Sequence, residues 1–113
     1  MGDNYGVLAD LSAEAETLAS KCANEHTWQL TDDVLVDCLD TIDHAIQALT
    51  ATQLHLIREI DGRGLPIAQH TSSTAVWLRE HLRMSIHTAK RLVELAQAVD
   101  QRPALDTALA AGE

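Results

Sequence analysis

Leu35, Leu39, Ile42, Ile46, Leu49, Gln53, Leu56 and Ile60 recur at alternating steps of four and three residues, with one polar break at Gln53. A strand alternates every second residue and cannot hold that spacing, whereas a helix brings these positions onto one face. Neither Gly nor Pro interrupts the run. Thr31 precedes it as an N-cap, Asp32 and Asp33 fill the first turn, and Gly62 follows as a stop. The stretch predicts one helix over about 31–61, roughly 45 Å long, with a narrow apolar seam. In water such a helix needs a partner along its length. Leu35, Leu39, Ile42, Ile46, Leu49, Gln53 and Leu56 are therefore the candidate oligomer interface.

What could cover this seam follows from the rest of the chain. Val7 to about Asn24 reads as a first helix with Leu8, Leu11, Ala15, Leu18, Ala19 and Cys22 on one face. At about 18 residues it spans only about 27 Å, so it cannot cover the whole seam. Glu25 to Leu30 makes a corner, with Trp28 and Leu30 tucked under it. Gly62, Gly64 and Pro66 open a loop that lasts to Ser73. Ser72 or Ser73 caps the next helix, which carries Ala75, Val76, Leu78 and Leu82 and ends near Arg83. Ser85 caps a further helix, Ile86 to Val99, with Ala89, Leu92, Val93, Ala96 and Val99 as its buried face. Pro103 starts a last short helix to Ala111, and Gly112 ends it. If the long helix is the scaffold for the pair at 74–99, then Leu39, Ile46 and Leu56 are covered. The remaining seam is left either to a second copy, giving the homodimer favoured here, or to the rest of 74–111, giving a monomer.

Composition agrees with an all-α fold. The 113 residues contain no Phe, one Tyr, two Trp and two Pro, with a hydrophobic fraction of 46%. The core must therefore be aliphatic, in one helical domain over 1–113. No apolar run is long enough to span a membrane, and no basic region with a following apolar run marks a signal peptide. Two cysteines make no disulfide framework, which points to a reduced, cytoplasmic setting.

The net charge of −9 is uneven. Residues 1–62 carry Lys21 and Arg58 against twelve acids, a net of −10. Residues 63–113 carry six bases and five acids, a net of +1, and within 79–91 Arg79, Arg83, Lys90 and Arg91 stand against Glu80 alone. The acidic first half disfavours nucleic acid along its surface, and the second half permits it.

The pair at 74–99, two helices about a three- to four-residue joint, has the form of a helix-turn-helix. In that form the first helix braces the backbone, and the N-terminal residues of the second reach base edges in the major groove. Those residues would be Ile86, His87, Thr88, Lys90 and Arg91. Arg79 and Arg83 would stand near phosphates, with Lys90 also suited to phosphate and Thr88 and Arg91 to bases. The nucleic-acid-binding candidates are thus Arg79, Arg83, His87, Thr88, Lys90 and Arg91, and the partner is double-stranded DNA. The plain alternative is a corner between two packed helices with a solvated basic outside.

Within the same region, "LIREIDGRGLP" (56–66) and "TAVWLREHLRMSIHTAKRLVELAQAVDQRPALDTALAAGE" (74–113) resemble the actinobacterial 13E12-repeat family. "WQLTDDVLVDCLDTIDHAIQALTA" (28–51) is similar to that family's acidic approach to a long helix. The most specific parts are Arg63–Gly64, Trp77 to Glu80 with Leu82 to Ser85, and Ala108 to Glu113. The resemblance implies a domain of uncharacterised function that often precedes a His-Asn-His (HNH) nuclease module, in a mobile-element or phage-like setting. It also implies the N-terminal part of a longer architecture. No Cys-x-x-Cys pair and no His-Asn-His ββα region occurs here, so the nuclease chemistry maps onto no residue of this chain, and no enzyme activity is expected.

Other chemistry is thinly represented. Cys22 and His26 lie one turn apart and could share a metal with Cys38, yet a fourth ligand is lacking and two small core cysteines are the simpler reading. Asp40, Asp43 and His44 form an acidic face without a nucleophile or pocket loop. His81 and His87 flank the joint and could meet phosphate when protonated. Trp77 between Val76 and Leu78 reads as a packing anchor. Gln53 either sets register between two copies or sits at a bundle edge. No metal, cofactor or small-molecule substrate is indicated.

Overall fold

The computed structural model describes residues 4–101 and contains, among them, five α-helices and no strand. They are α1 (Asn4–Ala23), α2 (Asp32–Gly62), α3 (Leu65–Ala68), α4 (Thr74–Leu82) and α5 (Ile86–Gln101). The all-α expectation and the long central helix are both found. The helix expected over Pro103–Ala111 lies outside the described residues. Contacts group the chain into two units, Met1–Val36 and Asp37–Glu113.

In the first unit, α1 starts earlier than the expected Val7 and stops at Ala23, where the Asn24 N–H donates back to the Ser20 carbonyl (3.2 Å). Its expected buried face is not buried: Leu8, Leu11, Leu18, Ala19 and Cys22 are exposed and only Ala15 is half-covered. The corner also departs from expectation. Trp28 is 76% exposed rather than tucked in, and its ring lies tilted against His26 at 6.4 Å. Leu30 is half-buried. Thr31 caps α2 through its hydroxyl, which accepts from the Val34 N–H (3.4 Å).

The second unit is built on the C-terminal half of α2. Ala51, Leu54 and Ile57 of that helix are buried, and Leu54 and Ile57 join Leu78 of α4 and Ala89, Ala96 and Val99 of α5 in one aliphatic core. Trp77, Met84, Leu92, Val93 and Leu95 are packed around it. Small residues at 89 and 96 let α5 pack closely against α4. Thr74, at the start of α4, is buried and donates its hydroxyl to Asp61 Oδ1 near the end of α2.

This packing corrects the expected scaffold face. Leu39 (69%), Ile46 (56%), Leu49 (52%) and Leu56 (43%) are exposed, and so are Leu35, Ile42 and Gln53. The α4–α5 pair therefore does not lie on the seam. It sits on Leu54 and Ile57, each one residue along from Gln53 and Leu56, which on a helix turns the side chain by about 100°. A further difference is α3, a single helical turn within the expected loop. Gly64 adopts a left-handed backbone at φ 67°, which glycine alone does without strain, and Pro66 fits the first turn and is buried.

Candidate nucleic-acid interface

The joint between α4 and α5 is fixed from both sides. Ser73 Oγ accepts from the Val76 N–H (3.1 Å) and starts α4. Arg83 ends it with a left-handed backbone at φ 57°. Ser85 Oγ accepts from the Thr88 N–H (3.1 Å) and starts α5. Three residues, Arg83, Met84 and Ser85, thus turn the chain from one helix to the next. Met84 is packed against the core and holds the turn down.

On this frame Arg79, Arg83, His87, Thr88, Lys90 and Arg91 are all exposed. Their situations differ. His87, Lys90 and Arg91 stand at i, i+3 and i+4 and so share one face of α5. With Thr88 and Glu94 they line an open depression of about 400 Å³. Arg79 leans towards its neighbour Glu80, with Nη2 3.5 Å from Oε2. The Thr88 hydroxyl accepts from Ser85 Oγ (3.0 Å), so it belongs to the cap as much as to the surface. Ile86, the first residue of α5, is half-buried. Glu94, one turn beyond Lys90, closes the basic row with a negative charge.

Trp77 is an anchor. Its indole N–H donates to Gln69 Oε1 (2.9 Å), tying the loop before α4 to the helix, and its ring stacks on His81 with centroids 4.6 Å apart and planes 10° apart. Gln69 and Asp61 hold α4 in place yet carry no local sequence signal, because each acts on a residue eight or more positions away.

The remaining chemical candidates are dispersed. Cys22 and Cys38 are free and exposed, not small core residues, because the faces that carry them are uncovered. No group of three or more His, Cys, Asp or Glu side chains that could hold a metal occurs among the described residues. Asp43 accepts from Gln47 Nε2 (2.9 Å) as part of a solvated face. No described helix is long and apolar enough to cross a membrane.

Fold and surface together define a helical module with a capped helix-turn-helix-like pair and an uncovered apolar ladder. Compared with known proteins, the chain matches no family model, no curated protein and no solved structure.

Proposed function

We propose that this chain is a non-catalytic module, of the kind the 13E12-repeat resemblance implies, that sets itself on duplex DNA through α4 and α5 and self-associates through α2. One observation carries the DNA reading. Immediately after the capped joint, the first two turns of α5 expose His87, Lys90 and Arg91 on one face, with no acid on that helix before Glu94. A helix entering the major groove presents its N-terminal residues in this way. Arg79 and Arg83 add positive charge on the preceding helix and joint, where backbone phosphates would lie. A cytoplasmic setting and the association with an HNH nuclease module that the resemblance implies belong to the same proposal.

The test is duplex binding followed by fluorescence anisotropy at several salt concentrations. Wild-type protein binds at low salt and weakens as salt rises. Lys90→Gln and Arg91→Gln each bind more weakly, and each lowers the logarithmic salt slope by about one. Absence of wild-type binding at low salt ends the DNA reading.

A second reading has its own support. The net charge of −9 and the exposed ladder Leu39, Ile42, Ile46, Leu49 and Leu56 suit a protein-interaction or oligomerisation domain that touches no nucleic acid. Under that reading Leu49→Asp dissolves the assembly, and substitutions at Lys90 and Arg91 change nothing.

A further inference from the structure

We infer that the exposed ladder of α2 is completed by α2 of a second copy, running in the same direction and in register, so that Gln53 faces its own counterpart. The inference rests on the self-association part of the proposed function and adds partner, direction and register.

Three observations lead to it. The first is extent. Leu39, Ile42, Ile46, Leu49 and Leu56 are each at least 43% exposed on one unbroken helix. They offer on the order of 500 Å² of apolar surface, at the upper end of what a lone soluble chain leaves in water; two copies together remove about 1,000 Å², the lower bound for a specific interface.

The second is spacing. Alternating steps of four and three require a helical partner with the same period. In heptad terms Leu39, Ile46, Gln53 and Ile60 occupy the a positions, and Ile42, Leu49 and Leu56 the d positions. Ile46 at a with Leu49 and Leu56 at d is the pattern that favours two parallel strands, because β-branched side chains fit the a layer and Leu the d layer of that arrangement, while Leu39 and Ile42 reverse it in one layer.

The third is the polar break. In register and parallel, Gln53 meets Gln53 of the second copy, and each amide N–H has an amide oxygen to receive it. Antiparallel over the same span, with Leu39 against Leu56, Gln53 lands on Ile42 and its amide is covered without a partner, which is costly. The flanks raise no objection: in the parallel pair Cys38 lies beside Asp43 of the other copy, and Ala45 beside Thr50, so no like charges meet at the edge of the seam.

The arrangement carries a signature of its own. Asp32, Asp33, Asp37, Asp40 and Asp43 give each helix an acidic N-terminal half, and a parallel pair brings the two acidic halves near each other without pairing them across the seam, so salt screens a longer-range repulsion and tightens the pair. Duplex binding responds to salt in the opposite sense.

The test uses full-length protein in a Cys22→Ser, Cys38→Ser background. Sedimentation at tens of micromolar gives about twice 12.3 kDa, and the dimer tightens several-fold between low and high salt. Gln53→Cys copies join through a disulfide on mild oxidation, because facing a positions lie within disulfide reach when parallel and about 16 Å apart along the axis when antiparallel. Ile42→Cys mixed with Gln53→Cys gives no preferential mixed product. Leu49→Asp weakens the pair by about 100-fold while helical content by circular dichroism is unchanged. A monomer at every concentration overturns this inference and the self-association proposal together. A dimer whose Ile42→Cys and Gln53→Cys copies cross-link to each other overturns direction and register alone.

Discussion

Arg83 is held in a backbone region that a side chain with a Cβ enters at a cost of about 1 kcal/mol. Glycine enters it freely. Arg83→Gly therefore raises the stability of the 37–113 unit by roughly 0.5–1 kcal/mol, read as a higher thermal midpoint. Under the DNA reading the same substitution weakens duplex binding, since a positive charge at the joint is lost; a rise in stability without a fall in affinity removes Arg83 from the interface. Thr74 behaves differently. Its hydroxyl is buried against Asp61, so Thr74→Val leaves a carboxylate short of a donor and destabilises by about 1–2 kcal/mol in urea titration. At this scale the sequence was legible where the chemistry is local. Ser73 and Ser85 announce themselves as caps because a cap acts within three residues. The left-handed Arg83, the Trp77–Gln69 bond and the Thr74–Asp61 bond were not legible, since each depends on where a distant piece of chain arrives.

At the scale of the element, α2 carries two stripes that differ in kind. The ladder from Leu39 to Leu56 is regular and made of large residues, so it dominates any reading of periodicity. The stripe that the fold uses, Ala51, Leu54 and Ile57 ending at Asp61, is short and runs into polar residues. Periodicity reveals a helix and its apolar lines but does not say which line the same chain covers and which it leaves exposed. The two stripes separate cleanly in mutational cost. Leu54→Ala, at 1% exposure, costs about 2–4 kcal/mol of unfolding free energy. Leu39→Ala, at 69% exposure, costs less than about 0.5 kcal/mol in dilute protein and shows its effect in the sedimentation constant instead. Equal costs at the two positions would mean that the seam is covered within one chain. The one-turn α3 went unseen for a related reason: Gly64 and Pro66 read as breakers, yet the same two residues form the start of a helix when the chain doubles back.

For the whole molecule, charge sets the terms on which it meets others. The acids gather before residue 62 and the bases after it, in the first helices and the α4–α5 pair respectively. The proposed contact with duplex DNA and the proposed contact between copies are therefore opposed in their response to ionic strength. Raising salt at constant protein concentration releases DNA while the sedimenting mass holds or rises. A parallel loss of both would place the basic row within the assembly rather than on its outside.

Because α2 presents one line of side chains to its own unit and keeps another uncommitted, a chain is able to reach its native state before it meets anything else. Under the self-association proposal, meeting a counterpart requires no unfolding and no exchange of segments, and changes along Leu39 to Leu56 are then free to tune who joins whom, and how tightly, without endangering the globule that the other stripe holds together.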